Sequence, residues 1–280
     1  MATHRSSSGT VLHWLVDELP FGEIKKEFVA DNADLFYFLA GASFVEITSD
    51  LYTRILIEYF DGDRMVTDWL QHEWEPQELQ HGAALRRYVE TVWPEFDWVG
   101  SYGDFRRAYG PLCKPELLGP TRGLELASRC VVETGTATFY TMIRELTDEP
   151  VLRQLTMLIR TDEVSHYSHF FQLFKRYRDD EGLRRMQILR ALWGRVAEID
   201  DEDIWYAFRS IYNMRTPGAD VAAAYHHYRI RVLERMRVHY PYAMAATMLL
   251  KPMSLNRQLQ RLAAPILTLG AKRLFRGARH

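Results

Sequence analysis

The chain carries two Glu-x-x-His pairs, and each follows a glutamate on an apolar, helix-periodic stretch. In chain order the six residues are Glu46, Glu78, His81, Glu133, Glu163 and His166. The leading glutamate precedes its pair by 32 residues in the first set and by 30 in the second. Residues three apart lie on one helix face, so each pair can aim a carboxylate and an imidazole at one point. Directed into a helical bundle, these side chains predict a site for two iron or two manganese ions.

Chance placement accounts for one such pair but not for the whole arrangement. With 20 Glu and 10 His among 280 residues, random placement yields about 0.7 Glu-x-x-His pairs. The chain has two, and both follow a glutamate at nearly equal distance. The competing interpretation is two pairs on solvated surface helices. Apolar flanks favour burial instead.

Length and composition are those of an ordinary globular chain. Hydrophobic residues make up 47% and charged residues 26% of the 280 residues, as is usual for a globular protein. No Pro/Gly/Ser-rich linker divides the chain, and the two half-motifs must meet to form one site, which predicts a single domain over 1–280. No apolar run of about 18 residues predicts a transmembrane helix, and the polar N-terminus shows no secretory signal. Two cysteines, Cys113 and Cys130, fit a reducing compartment without disulfides. We therefore expect a cytoplasmic protein that binds no nucleic acid.

Glycine and proline are sparse and punctuate long apolar-periodic runs, which predicts an all-α fold. The predicted helical runs are about 10–19, 23–60, 64–92, 121–147, 150–179, 182–215, 218–238 and 242–275. Residues 93–120 predict a loop with room for one short helix. Two helix hairpins joined by this crossover form a ferritin-like four-helix bundle over about 23–180, with additional C-terminal helices over about 182–275.

Within the predicted site the paired glutamates are assigned different roles. Glu78 and Glu163 are the bridges between two metal ions. Glu46 and Glu133 are then terminal carboxylates, one for each ion, beside one imidazole each. Uncompensated buried carboxylates are costly, so a buried cluster of this kind demands cations. Pro76 lies just before the first pair and predicts that its helix restarts or bends there.

Four further residues lie close in sequence to these ligands. Thr136 follows Glu133 at i+3, and its hydroxyl either reaches the site or bonds back to a backbone carbonyl one turn earlier. His169 is a further ligand, or it lies beside the ligands or at the surface. Asp50 either orients a ligand or lies at the surface. Trp74 either lines the site or packs in the core.

Three local motifs surround the predicted ligands. They are Trp74-x-x-x-Glu78-x-x-His81-Gly82, Glu133-Thr134-Gly135-Thr136 and Asp162-Glu163-x-x-His166, with Glu46, Tyr52 and Asp61-Gly62 in the first helix. In this combination the chain resembles the soluble acyl-carrier-protein desaturases of the ferritin-like di-iron superfamily. The 85-residue separation of the two pairs is also similar to that family. The resemblance covers about residues 35–180.

This resemblance implies a di-iron oxidoreductase that uses O2 to desaturate an acyl chain carried on acyl carrier protein. It implies two iron ions per chain and a catalytic role for Thr136. The sequence has no G-x-G-x-x-G fingerprint for a flavin or nicotinamide, so the electrons come from another protein, a ferredoxin-type donor. The fold class often forms homodimers.

Three other functions remain open. A di-iron hydroxylase or N-oxygenase of a specialised substrate uses similar ligands, but the N-oxygenases add a histidine one turn before the last pair, where this chain has Ile159. A rubrerythrin- or ferritin-like protein that handles peroxide or iron is usually shorter and lacks helices after residue 180. A metal-free helical scaffold would leave the six ligands without a purpose.

Charge is distributed unevenly along the chain, and the C-terminal end is strongly basic. Although the net charge is −2, residues 251–280 contain no Asp or Glu. Their basic residues are Lys251, Arg257, Arg261, Lys272, Arg273, Arg276 and Arg279. Such an end favours an acidic partner or an anionic surface, or it is a tail kept soluble by charge. By the resemblance, it suits docking of an acyl carrier protein.

Overall fold

A computed structural model describes residues 4–5, 9–198 and 203–277. Within them the chain is helical, apart from short turns and an antiparallel pair of two-residue strands, β1 (His4–Arg5) and β2 (Val11–Leu12). The helices are α1 (Ala33–Ile47), α2 (Ser49–Tyr59), α3 (Arg64–Trp69), α4 (Glu75–Val92), α5 (Trp98–Tyr109), α6 (Arg122–Glu145), α7 (Pro150–Asp180), α8 (Arg185–Glu198), α9 (Asp203–Arg215), α10 (Val221–His239), α11 (Tyr242–Leu250) and α12 (Arg257–Gly277). The predicted all-α class is confirmed. Among the described residues, no helix has both the length and the apolar character needed to cross a membrane.

The chain divides into two compact units, each assembled from several segments. Unit 1 comprises Met1–Leu118, Thr147–Leu158 and Asp201–Arg229, and unit 2 comprises Gly119–Leu146, Ile159–Asp200 and Ile230–His280. Helices α7 and α10 contribute residues to both units. The single domain over 1–280 stays a prediction.

Helix α1 forms the centre of unit 1. It begins where the Asn32 side chain accepts the N–H of Leu35 at 3.1 Å, which satisfies one donor of the first turn. Leu39, Ala40 and Phe44 are completely buried. A helix that is apolar on most of its faces belongs in an interior, and α1 packs mainly against α4 and α9.

The predicted helix over 23–60 begins only at Ala33 and is in fact two helices, because α1 ends at Ile47, Thr48 is the junction and α2 begins at Ser49. The Thr48 hydroxyl donates to the Phe44 carbonyl at 2.8 Å, and the Thr48 N–H is shared between the carbonyls of Phe44 and Val45. Such local bonding competes with the regular helical ladder. The junction therefore follows Glu46 by two residues.

The approach to the first Glu-x-x-His pair changes its winding just before Pro76. Leu70–Trp74 forms a π-helical turn between α3 and α4, and the Glu75 N–H bonds to the Leu70 carbonyl. Pro76 then occupies the first turn of α4, where a missing N–H costs nothing. This π-helical turn is the observed form of the predicted restart or bend.

Other predicted boundaries also differ from the observed ones. The run predicted over 10–19 contains β2 and a short 3-10 turn rather than a helix. The segment over 93–120, predicted as a loop with room for one short helix, contains α5, which is twelve residues long. The run over 182–215 is divided into α8 and α9, with 199–202 outside the described residues, and the run over 242–275 into α11 and α12.

Helix α6 organises unit 2, where it packs against α8 and α11. Its first turn is held by Glu181, which follows the end of α7: the carboxylate accepts the Gly123 N–H at 3.1 Å and the Thr121 hydroxyl at 2.5 Å. The Tyr167 hydroxyl donates to the Met248 carbonyl at 2.6 Å, which ties α7 to α11. Acidic groups at a helix N-terminus stabilise it by bonding its free donors.

Candidate metal centre

The first predicted ligand set lies in unit 1, on α1 and α4. Glu46 comes from the last turn of α1, and Glu78 and His81 lie one turn apart on α4. All three are buried, and His81 has no exposed surface. The His81 Nδ1 is 3.8 Å from the Glu46 Oε2, too far for a hydrogen bond but suitable for two ligands of one ion.

Gly82 allows α4 to come this close to α1. A Cβ atom at position 82 would lie 2.4 Å from the Ile47 Cγ1, 2.7 Å from the Ile47 backbone nitrogen and 3.1 Å from the Glu46 Cβ. No real side chain tolerates such approaches to a backbone atom. The glycine after His81 therefore sets the spacing of the helices that carry this ligand set.

The N-terminal segment covers the outer side of His81. The Trp14 indole stacks on the imidazole with ring centroids 6.1 Å apart and planes inclined by 7°. Next to it, the Gln77 Nε2 donates to the Val11 carbonyl at 3.0 Å, and both Trp14 and Gln77 are buried. Sequence reasoning missed Trp14 and Gln77, since no periodicity links this segment to α4.

The second predicted ligand set lies in unit 2. Glu133 is in the middle of α6, and Glu163 and His166 lie one turn apart on α7. All three are buried. The His166 Nδ1 is 3.6 Å from the Glu133 Oε2 and 3.9 Å from the Glu163 Oε2. These separations are close to the one found between His81 and Glu46 in the first set.

Thr136 connects the two helices of the second set. Its hydroxyl is 2.6 Å from the Glu163 Oε2, and 3.2 and 3.4 Å from the carbonyl oxygens of Glu133 and Val132. A hydroxyl has a single proton to donate, and the short contact is to the carboxylate, where a charge-assisted bond is strongest. Thr136 therefore holds the Glu163 carboxylate in place.

The ligand atoms fall into two overlapping groups. Within each group, one ligand atom per residue lies within 4.8 Å of all the others. The groups are Glu46, Glu78, His81 and Glu163, and Glu78, Glu133, Glu163 and His166. First-row divalent ions bind carboxylate oxygen and imidazole nitrogen at about 2.0–2.2 Å, so opposite ligands of one ion lie about 4 Å apart. Each buried group could hold a metal ion.

The donor set also fits a metal on electrostatic grounds. Four buried carboxylates in such proximity repel one another unless cations or protons compensate their charge. Carboxylate and imidazole donors without thiolate suit iron, manganese or zinc. Cys130 precedes Glu133 by one turn of α6, but burial and the nearby Glu133 raise the pKa of its thiol well above the usual range. It stays a neutral thiol and belongs to neither group.

The other residues considered near the ligands have separate surroundings. Asp50 accepts two bonds from Arg106, at 2.6 and 3.0 Å, in a half-buried ion pair. Burial, together with the adjacent His166, lowers the pKa of His169 to about 4, so this imidazole is neutral at pH 7. Neither ligand group includes His169. Trp74 is buried in the π-helical turn.

Glu149 has a structural role that sequence reasoning did not assign. Its carboxylate is completely buried at the start of α7, where it accepts the N–H groups of Val151 and Leu152 at 3.2 and 2.7 Å. It also accepts the Tyr88 hydroxyl at 2.9 Å. Glu149 thus fixes the beginning of α7 to α4, the helix of the first Glu-x-x-His pair. The predicted start of a helical run at about residue 150 was the only sequence signal of this role.

No protein-family model matches this chain, and no curated protein matches it. The resemblance to the acyl-carrier-protein desaturases therefore depends on the motif residues alone, and membership of that family stays a prediction. The buried carboxylate and imidazole groups are compatible with metal binding.

Proposed function

We propose that this protein is a di-iron, O2-dependent oxidoreductase that desaturates an acyl chain carried on acyl carrier protein. The observation that carries the proposal is the overlap of the two ligand groups. Each group offers three carboxylates and one imidazole, and Glu78 and Glu163 are common to both. A shared carboxylate can bridge two ions, as in the di-iron carboxylate proteins.

The helices that carry the ligands support a ferritin-like arrangement. The six residues come from α1, α4, α6 and α7, and each Glu-x-x-His pair projects from one face of its helix. We propose that these four helices form the ferritin-like bundle and that α8 to α12 are the additional C-terminal helices. Carboxylates from two helices combined with Glu-x-x-His from two others define such bundles.

Bound iron would supply the redox chemistry by which O2 is reduced to two molecules of water, using two external electrons, two protons and the two hydrogen atoms removed from the acyl chain. The protein's part is positioning. The Thr136 hydroxyl orients the Glu163 carboxylate through its 2.6 Å bond, and Trp14 fixes the plane of the His81 imidazole. The catalytic role predicted for Thr136 is therefore proposed to act through Glu163.

The electron donor and the substrate carrier are proposed to be separate proteins. The sequence lacks a dinucleotide-binding fingerprint, so a ferredoxin-type protein is the proposed electron source. Acyl carrier protein, or another acyl carrier, is the proposed source of substrate. A homodimer is the proposed assembly, by analogy with the fold class.

Iron content is the first test. After anaerobic reconstitution, we expect about two iron ions per chain in the wild-type protein. Glu163→Ala and His166→Ala should lower this value, whereas Glu58→Ala and His226→Ala, which alter exposed residues of the same types, should not. Circular dichroism confirms that each variant is folded. Iron binding that is unchanged in the first two variants would refute the site.

Product analysis is the second test. The iron-loaded protein is assayed with ferredoxin, its reductase, O2 and acyl-carrier-protein substrates, and the acyl product is examined by mass spectrometry. Desaturation appears as loss of two hydrogens, and hydroxylation as gain of one oxygen. Peroxide consumption or iron oxidation without any acyl product would instead identify a rubrerythrin- or ferritin-like protein.

A further inference from the structure

The solvent-facing side of α12 is the most distinctive feature outside the ligand groups. Besides Leu267, its exposed aliphatic residues recur at intervals of three, four and three residues, which places them on one helix face. They are Leu259, Leu262, Ile266 and Leu269. Leu262 and Ile266 are 66% and 70% exposed. Single exposed apolar residues are ordinary, but a continuous stripe marks an interaction surface.

Helix α8, in the same unit, repeats this pattern. Its exposed apolar residues have the same spacing, and they are Met186, Leu189, Trp193 and Val196. On its other side Ile188 and Leu192 are buried, and α8 packs against α6. One face of α8 therefore belongs to the core of unit 2, and the opposite face is left to solvent. Trp193 is 69% exposed, and tryptophan is enriched where proteins meet the membrane–water interface.

Two arginines, one near the end of α7 and one at the start of α8, bond to the turn that precedes α12. The Arg185 guanidinium donates to the Ser254 carbonyl at 3.4 Å, and Arg178, near the end of α7, donates to the Ser254 hydroxyl. The two apolar stripes thus begin in one part of unit 2.

The charged residues of both helices are mostly positive, and Glu198 at the end of α8 is the single acidic one. Residues 257–277, which form α12, contain arginine and lysine but no Asp or Glu. Along α8, helical spacing puts Arg185 and Arg190 on either side of the apolar stripe, and both are exposed. A second copy of this chain would bring like charges together, which disfavours self-association through these helices. An anionic surface complements them.

We propose that α12 and α8 bind the surface of an anionic lipid bilayer. The aliphatic stripe of α12 enters the boundary between headgroups and acyl chains, Trp193 lies at the same level, and the flanking cations meet lipid phosphates. An acidic protein complements the charge equally well, but it does not offer the continuous apolar phase that two such stripes fit. The proposal is independent of the function proposed for the ligand groups. Arg279 lies outside the described residues and carries no part of it.

Vesicle co-sedimentation of the full-length protein tests the surface. We expect binding to vesicles of phosphatidylcholine with about 30% phosphatidylglycerol and little binding to pure phosphatidylcholine, with affinity falling between about 0.05 and 0.5 M salt. Leu262→Gln/Ile266→Gln should weaken binding by about tenfold or more. Trp193→Gln should weaken it in the same direction, and Arg190→Gln/Arg261→Gln should reduce both the affinity and its salt dependence.

The matched controls remove the same residue types from exposed positions of unit 1. They are Val99→Gln/Leu117→Gln and Arg64→Gln/Arg107→Gln, and both should bind vesicles as the wild type does. Equal binding to neutral and anionic vesicles, or binding that the α12 variants leave unchanged, would overturn the proposal. So would a dimer that these variants dissociate, or acyl-carrier-protein binding that they abolish, in a protein that does not bind vesicles. Retained iron content in the variants keeps this test separate from that of the ligand groups.

Discussion

The two ligand sets follow one sequence pattern but are supported by different interactions. In unit 1, backbone packing at Gly82 and the ring of Trp14 define the surroundings of His81. In unit 2, the Thr136 hydroxyl defines the position of Glu163, and Gly135, the glycine nearest to Glu133, has no atom within 4 Å of its would-be Cβ. The first set is thus held by shape and the second by a polar bond. Their responses to substitution should differ accordingly.

The largest expected effect is on iron content, which should differ between variants of a ligand shared by both groups and variants of a ligand found in one group. Glu78→Ala removes a carboxylate found in both groups, whereas Glu46→Ala and Glu133→Ala each affect one group. We expect Glu78→Ala to abolish iron binding and each of the other two variants to retain about one iron per chain. Metal analysis after reconstitution measures this. Equal losses in all three variants would show that the groups do not act as two overlapping sites.

Replacing Gly82 or Gly135 with alanine should affect the free energy of unfolding very differently in the two ligand sets. Gly82→Ala places a Cβ against the Ile47 backbone, so we expect it to lower the free energy of unfolding by about 3 kcal/mol. Gly135→Ala meets open space in a helix interior and should be neutral or stabilise by up to about 1 kcal/mol. Chemical denaturation gives both values. A mild effect at Gly82 would mean that α1 and α4 can separate without cost.

Truncation of the Trp14 ring tests the aromatic cover of the first set. Trp14→Leu should cost about 2 kcal/mol of stability and weaken iron binding by about tenfold, because the imidazole loses the ring that holds its plane. Trp98→Leu is the matched control: Trp98 is also buried and donates to the Ser43 hydroxyl at 2.9 Å. It should lower stability similarly and leave iron affinity unchanged. Calorimetric unfolding and iron titration separate the two effects.

The smallest expected effect concerns the hydroxyl in the second set. Thr136→Val keeps the side-chain shape and removes the bond to Glu163, which should cost about 1.5 kcal/mol. Iron content should stay near the wild-type value, while the rate of product formation falls. Thr141→Val removes a hydroxyl that bonds the Ala137 carbonyl and the Met244 sulfur, and it should leave the rate unchanged. If both variants have equal rates, Thr136 has no positioning role.

Several features of the ligand sets could be predicted from the sequence because they are local. A spacing of three residues in a helix brings Glu78 near His81 and Glu163 near His166 whatever the rest of the chain does. Apolar flanks predicted burial, and the six residues are buried. The helix over 121–147 was predicted to within two residues at each end, because glycine and proline stand before it and Glu149-Pro150 after it.

The missed features depend on residues far apart in the chain. Trp14 stacks on His81 from 67 positions away, and the Glu149 carboxylate accepts a bond from Tyr88. The break at Thr48 was also missed, because a threonine in an apolar run predicts neither continuation nor interruption of a helix. Local patterns contain no information about which distant side chain a residue will meet.

The sequence by itself determined the class of fold and the types of ligand, since helical periodicity and residue chemistry are properties of short segments. Only the tertiary structure decided that Glu78 and Glu163 each belong to both ligand groups. It alone also showed that Gly82 allows α4 to pack closely against α1. The physical reason is that the distance between two helices depends on the side chains that meet where they cross. Which side chains contact each other at a helix crossing depends on the packing of the whole core and not on any one stretch of the chain.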